Sequence, residues 1–365
     1  MNKKAILLMG GGNDASDLRY ASGFSAPDDF LFIACGERKL CFVSALEYNR
    51  ALGSVLPGVE VRRSTGSSVK TVTESCAELG ITTLTVPDAF PLGTAEKLRA
   101  AGLEITPSGE RLFPEREFKT AEEIVKITAS LRAAEAGCRR AIEILRESGI
   151  SKDRTLVWQG QPLTSEILRA EADCTMLKLG MIPTGTICAG GLQAAQPHNQ
   201  GSGVIPADFP VVLDIFPKSQ STGYWGDLTR TVVKGKPSDF MRRAYDAVLE
   251  AREFAKSCIR PGAIPSEIHK CAANILEKHG FPTGHDEHGD FGFFHGLGHG
   301  VGLDIHEFPR LSPKANTPLK PGVVVTDEPG LYYPDKGGIR LEDMVWLSPE
   351  GKCVTLTEIE DRFIL

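Results

Sequence analysis

The chain has 365 residues, 41% hydrophobic and 24% charged. That balance excludes a disordered or fibrous protein, and the length predicts two domains. With 41 Lys and Arg against 47 Asp and Glu, the net charge of −6 excludes the basic surface that a nucleic acid or an anionic membrane would need.

The basic start Met1-Asn2-Lys3-Lys4 is followed by an apolar stretch, as in a signal peptide. That stretch covers only residues 5–9 before Gly10-Gly11-Gly12, so a first β-strand ending in a turn is the expectation. No run has the length of a membrane span. Nine cysteines without a CxxC pair predict free thiols, and the chain is expected to be soluble and cytoplasmic. Apolar runs at 30–34 and 40–43 flank the turn Gly36-Glu37-Arg38-Lys39 and predict a hairpin. Residues 83–87 predict a strand and 93–102 a short helix.

The stretch 106–116 (TPSGERLFPER) is rich in Pro, Gly and charge and marks a boundary. Residues 1–117 are thus expected to form a smaller α/β domain, and residues 118–365 an α+β domain. Ile124, Ile127, Leu131, Ala134, Cys138, Ala141 and Leu145 recur at helical spacing up to Gly149. Further helices are predicted at 165–179, 239–259 and 266–279. Glycine near each of these four ends predicts a left-handed cap. The β-branched runs 211–213 and 323–325 predict strands.

Five of the eight histidines lie between positions 285 and 306, and three fall in His295-Gly-Leu-Gly-His299-Gly-Val-Gly-Leu-Asp-Ile-His306. One such histidine alone reads as a solvated loop residue. Three in twelve residues, separated by glycines, point to a tight backbone around exposed imidazoles at a metal or catalytic site. Two carboxylate pairs accompany them. Asp214 ends the apolar strand 210–213, and Asp227 returns in Gly226-Asp227-Leu228-Thr229-Arg230-Thr231. A hairpin would set these acids opposite each other, about 5 Å apart at Cβ. Glu328 and Glu342 flank a second turn, with Arg340 on the same face as Glu342 and Ile339 and Leu341 on the other. Four converging carboxylates repel unless protonated or bound to cations, and two divalent ions would balance their charge. An added imidazole gives the mixed donor set of a two-metal hydrolase.

These motifs, with TDEPGLYY at 326–333 and GIRLEDMV at 338–345, resemble the pita-bread metallopeptidases: prolidase, aminopeptidase P, methionine aminopeptidase and the non-metal relative creatinase. The resemblance runs from about residue 119 to the end. It implies a pita-bread catalytic domain preceded by the smaller α/β domain, to which residues 17–24 (DLRYASGF) are loosely similar. It also implies metal ligation by Asp214, Asp227, His299, Glu328 and Glu342, with Asp227 and Glu342 bridging two divalent ions. Manganese is expected, with Co2+, Zn2+ or Fe2+ as alternatives. Glu328 would be the proton shuttle, and His295 and His306 would be catalytic and substrate-side. His198, Tyr332 and Arg340 fall at substrate-contacting or supporting positions, and Thr229 would orient Asp227.

The N-terminal domain and EPGLYY favour the Xaa-Pro branch over methionine aminopeptidase. The expected activity is removal of the N-terminal residue from small peptides with proline second, aminopeptidase P-like, by a homodimer. A strict Xaa-Pro dipeptidase is the alternative, because Arg340 could pair with a substrate carboxylate or be fixed by neighbouring ligands. A catalytically silent pita-bread binding protein is the rival from another class, and the presence of all five ligands speaks against it. One departure stands out. The family has Asp-x-Gly after the first ligand, whereas this chain has Asp214-Ile215-Phe216 and two extra residues before Asp227, which could reshape the cavity entrance.

Overall fold

The computed structural model describes residues 3–12, 15–64, 66–287 and 289–365, so His288 lies outside the described residues. The chain divides into two compact units, Met1–Glu115 and Arg116–Leu365.

The first unit is built on one mixed sheet. Its strands are β1 (Lys3–Gly10), β2 (Phe30–Cys35), β3 (Arg38–Val43), β4 (Val59–Arg63), β5 (Ile81–Val86) and β6 (Glu104–Pro107), in the order β4-β3-β2-β1-β5-β6. The expected hairpin is β2–β3, antiparallel, while β1–β5, β3–β4 and β5–β6 are parallel. Alternation along each strand sends neighbours to opposite faces. Leu7, Ile33 and Leu84 join Val72 and Leu98 in one apolar cluster, while Leu8, Phe32 and Val43 join Leu18 and Phe24 in another. Both faces are therefore covered, as in an α/β layer structure. The helix Ser68–Leu79, capped by the Ser67 side chain, and the half-exposed strand β4 are two elements that the apolar pattern did not mark.

In the second unit a pair of helices is followed by antiparallel strands, twice over. The first helix, Ala121–Glu147, opens with a capping box between Thr120 and Glu123. It packs with Ser165–Lys178 against the three-stranded sheet of Ile187–Gly190, Pro210–Ile215 and Leu228–Val233. The helices Asp239–Cys258 and Pro265–Lys278 bury Val248, Ala251, Ile268 and Leu276 against Leu331, Ile339, Leu341 and Val345. Ile339 and Leu341 enter that core, so alternation turns Arg340 and Glu342 to the opposite side.

Left-handed glycines follow two of the four helices, at Gly180 and Gly280. The other two ends differ. Gly149 begins a short strand after an extended Ser148, and Gly262, although left-handed, lies beyond the helix end at Cys258.

Backbone approaches closely beside the predicted site. A Cβ on Gly226 would lie 2.4 Å from Leu131 N in the first long helix. One on Gly298 would lie 2.1 Å from Thr326 O. Each of these glycines immediately precedes a site residue, Asp227 or His299. We expect Gly226→Ala to lower unfolding free energy by about 1–3 kcal/mol, the usual cost of overpacking. Gly93→Ala, where the added Cβ meets nothing within 4 Å, should show no loss. Urea denaturation of the two variants checks this.

Candidate metal centre

Asp214 and Asp227 come from one hairpin. Asp214 stands opposite Thr229, Ile215 opposite Leu228, and Lys218 opposite Trp225. The same register sets Asp227 opposite Phe216 and diagonal to Asp214. The acids therefore share a face but are not directly opposed, and diagonal neighbours are about 7–8 Å apart at Cα. Near the hairpin tip, Ser219 N donates to Tyr224 O at 2.9 Å. Of this hairpin, Asp214, Phe216 and Asp227 line the adjacent cavity, so Phe216, which stands where the family has glycine, adds a ring to its wall.

Glu328 and Glu342 come from a second, interrupted hairpin. Asp327 is opposite Asp343, and Gly330 is opposite Arg340, so one register carried across the gap puts Glu328 opposite Glu342. The ladder breaks there because both amides turn elsewhere: Glu328 N donates to Leu297 O at 2.9 Å, and Glu342 N to Thr229 O at 3.0 Å. These two bonds tie the second hairpin to the histidine segment and to the first hairpin.

His299 sits on the strand Gly298–Gly300 and is 7% exposed, so the glycines around it admit neighbouring backbone rather than exposing the imidazole. Its Nδ1–H donates to Gly300 O at 3.1 Å. The other nitrogen, Nε2, faces Glu328 Oε1 at 3.3 Å and Asp227 Oδ2 at 3.7 Å. Three acceptor atoms thus converge, which only a proton or a cation can reconcile. Ligand atoms of Asp227, His299 and Glu342 all lie within 4.8 Å of one another. Glu342 Oε1 is buried without a hydrogen-bond partner.

The electrostatics agree. Burial first, then the charges of Glu342, Asp214 and Glu328, push Asp227 well above the usual carboxylate range. Burial, then Glu328 and Asp214, does the same to Glu342. Asp214 is raised by burial while Arg340 pulls against it. Glu328 behaves differently: burial pushes it up, but the His299 hydrogen bond and charge outweigh that and bring it down to about 2. Carboxylates this reluctant to ionise together suit a divalent cation with oxygen and imidazole donors.

Arg340 and Tyr332 are committed inside the protein. Arg340 Nη2 donates to Asp214 Oδ2 at 2.5 Å, Nη1 to Tyr332 Oη at 2.8 Å, and Nε to Thr229 Oγ1 at 3.2 Å. Both terminal nitrogens also reach Pro197 O at 3.4 Å. Three of the five N–H groups are thus held by bonds of 3.2 Å or less, and the other two make only weak contacts. Tyr332 is fully buried and does not line the cavity. Thr229 donates to Glu342 Oε2 at 2.7 Å, so it orients Glu342 rather than the expected Asp227.

His295 is similarly occupied. Burial lowers its pKa, Nδ1–H donates to Gly296 O at 2.7 Å, and Nε2 accepts from the Tyr332 hydroxyl at 3.0 Å. His306 is exposed on one side and edge-on to His299 at 4.3 Å between ring centroids; desolvation of its inner side, with His299 and Arg310 nearby, lowers its pKa to about 4. A neutral His306 can still donate one N–H. Both histidines and the exposed His198 line a cavity of about 1120 Å³, together with the five predicted ligands and Arg340. Its wall also holds Phe216, Phe294 and Arg310, which the sequence reading missed. Phe216 was accessible through period two from Asp214; Arg310 lies four residues after His306 with no pattern to mark it.

The chain matches the model of metallopeptidase family M24 over residues 125–349, and that of the creatinase/prolidase N-terminal domain over residues 4–126. It is 31% identical to the Xaa-Pro dipeptidase of Pyrococcus horikoshii, over 93% of this chain and 90% of that one. Among solved structures, an Xaa-Pro dipeptidase from Bacillus anthracis superimposes with a TM-score of 0.85 at 27% identity, covering 99% of this chain and 95% of that one. The X-Pro aminopeptidase of Thermotoga maritima superimposes with a TM-score of 0.84 at 25% identity, covering 100% and 98%. The chain belongs to metallopeptidase family M24, with the two-domain pita-bread architecture and mixed α+β content of that family.

We expect Tyr332→Phe to lower unfolding free energy by about 1–3 kcal/mol, because Arg340 Nη1 loses a buried acceptor. An unchanged urea midpoint would show that the hydroxyl holds nothing.

Proposed function

We propose that this chain is a metal-dependent exopeptidase that cleaves the bond between an N-terminal residue and a following proline. The observation that carries the reading is the meeting of four carboxylates and one imidazole at a single cavity. Asp214, Asp227, His299, Glu328 and Glu342 would hold two divalent ions, with Asp227 and Glu342 shared between them. The oxygen-rich donor set favours manganese, with Co2+, Zn2+ or Fe2+ as alternatives. When bound, the ions supply activation of water and polarisation of the scissile carbonyl.

The chain's own groups do the rest. Glu328, which lines the cavity beside His299, is the carboxylate placed to take a proton from the attacking water. It then delivers that proton to the leaving prolyl nitrogen. His306 has the free N–H to meet the developing oxyanion. His295, with both nitrogens engaged, serves as a wall held by Tyr332 and Gly296. Phe216 and Phe294 offer apolar surface to the proline ring and the side chain before it.

With Arg340 held by Asp214, Tyr332 and Thr229, the sequence motifs offer no other arginine for a substrate carboxylate, which alone would favour aminopeptidase P-like activity. Arg310 changes that balance. It lines the cavity, and its Nη2 makes a weak 3.4 Å contact to His306 O. It is placed to pair with a free prolyl carboxylate, which favours the dipeptidase alternative. A homodimer in the cytoplasm completes the proposal; nine cysteines without a CxxC pair suit a reducing compartment.

Two outcomes are expected. His299→Ala should lose both metal and activity. His306→Ala should keep its metal and slow the chemical step by about 10²–10³-fold. Metal analysis beside single-turnover kinetics separates them, and a metal-replete His299→Ala would overturn the ligand assignment. On substrates, Ala-Pro should outpace Ala-Pro-Ala, and Arg310→Met should erase that margin by raising KM for the dipeptide. Faster cleavage of Ala-Ala-Ala than of Ala-Pro-Ala would sink the prolyl reading.

A further inference from the structure

The loop 301–306, which carries His306, has neither helix nor strand to fix it. Its place is set by side chains outside the cavity. Glu307 Oε1 accepts from Lys119 Nζ at 2.5 Å, and Oε2 accepts from Arg116 Nη2 at 2.9 Å. The same Arg116 nitrogen reaches Asp304 Oδ2 at 2.7 Å, so one guanidinium grips both flanks of His306. Lys119 also donates to Arg116 O at 2.6 Å and Glu117 O at 3.3 Å. The Glu307 carboxylate lies against Gly302, where a Cβ would stand 2.4 Å from Oε1. From the other side, Trp225 N donates to Gly302 O at 2.9 Å, and its indole N–H to Leu303 O at 3.0 Å.

Lys119 and Glu307 are 1% and 11% exposed at the side chain. A pair so buried gains little net stability over an apolar pair of the same volume, because desolvation offsets the attraction. What it does supply is a unique geometry. Arg116, Lys119 and Glu307 do not line the cavity, so none is placed to touch a substrate.

We infer that Glu307 and Lys119, with Arg116, are positioning residues whose task is to hold the His306 ring beside His299. This rests on the reading of His306 as the substrate-side donor. A donor displaced by about 1 Å can cost up to about 10²-fold in rate.

The test is a double-mutant cycle on the manganese-loaded full chain with Ala-Pro as substrate, measuring kcat, KM and metal content for Glu307→Gln, His306→Ala and the pair. The expected result is a kcat about 10–10²-fold lower for Glu307→Gln, with KM and metal content little changed, and no further loss when the change is added to His306→Ala. Independent, multiplying losses would overturn the proposal, since Glu307 would then act by some route other than His306. A fully active His306→Ala would overturn it differently, by removing the role of His306 itself while leaving the carboxylate site standing. Should Glu307→Gln fail to fold, Arg116→Gln replaces it in the same cycle with the same expectations. Lys119→Arg should restore kcat that Lys119→Met loses; equal kcat in those two would also overturn the proposal.

Discussion

Like charges brought together out of water are the constraint on which this structure turns. Asp214, Asp227, Glu328 and Glu342 are gathered at one cavity where burial alone opposes their ionisation, and each adds to the repulsion felt by the others. Arg340 relieves part of this through Asp214. The remainder needs protons or cations, and a donor set of oxygens with one imidazole selects cations. Metal affinity is therefore an electrostatic consequence of where the strands end.

Backbone pairing enforces that convergence. Two antiparallel hairpins present their acids by register alone, and the second is interrupted at Glu328 and Glu342, where the amides bond to Leu297 and Thr229. Behind the acids, Arg230 donates to Glu342 O at 2.5 Å, to Thr229 O at 3.0 Å and to Asp343 Oδ1 at 2.9 Å, which locks both hairpins from the far side. Gly226 and Gly298 let neighbouring backbone approach next to Asp227 and His299. Side chains with no place in the chemistry thus account for much of the site's rigidity.

The acids were legible in the sequence because alternation and hairpin parity are local rules. Asp214 and Asp227 had to share a face whatever the length of an even insertion, and Ile339 and Leu341 announced which face Arg340 and Glu342 would take. What the sequence hid was commitment. Nothing in GIRLEDMV says that Arg340 is held by Asp214, Thr229 and Tyr332, because the first two come from a distant hairpin. The two occupied nitrogens of His295 were hidden for the same reason, as was Arg310, whose importance depends on a cavity that only the folded chain defines. In the first unit, the strand Val59–Arg63 carries only two apolar residues, Val59 and Val61, too short an alternation to mark it.

Without metal, the site cannot hold four ionised carboxylates at once. Calorimetric titration of chelator-stripped protein with Mn2+ at neutral pH, repeated in buffers of different ionisation enthalpy, counts the protons displaced as the ions bind. With Asp227 and Glu342 both raised by burial and by their neighbours, binding should release at least about one proton per protein. Tight binding with no proton release would mean that the carboxylates were already ionised together, and would contradict the account.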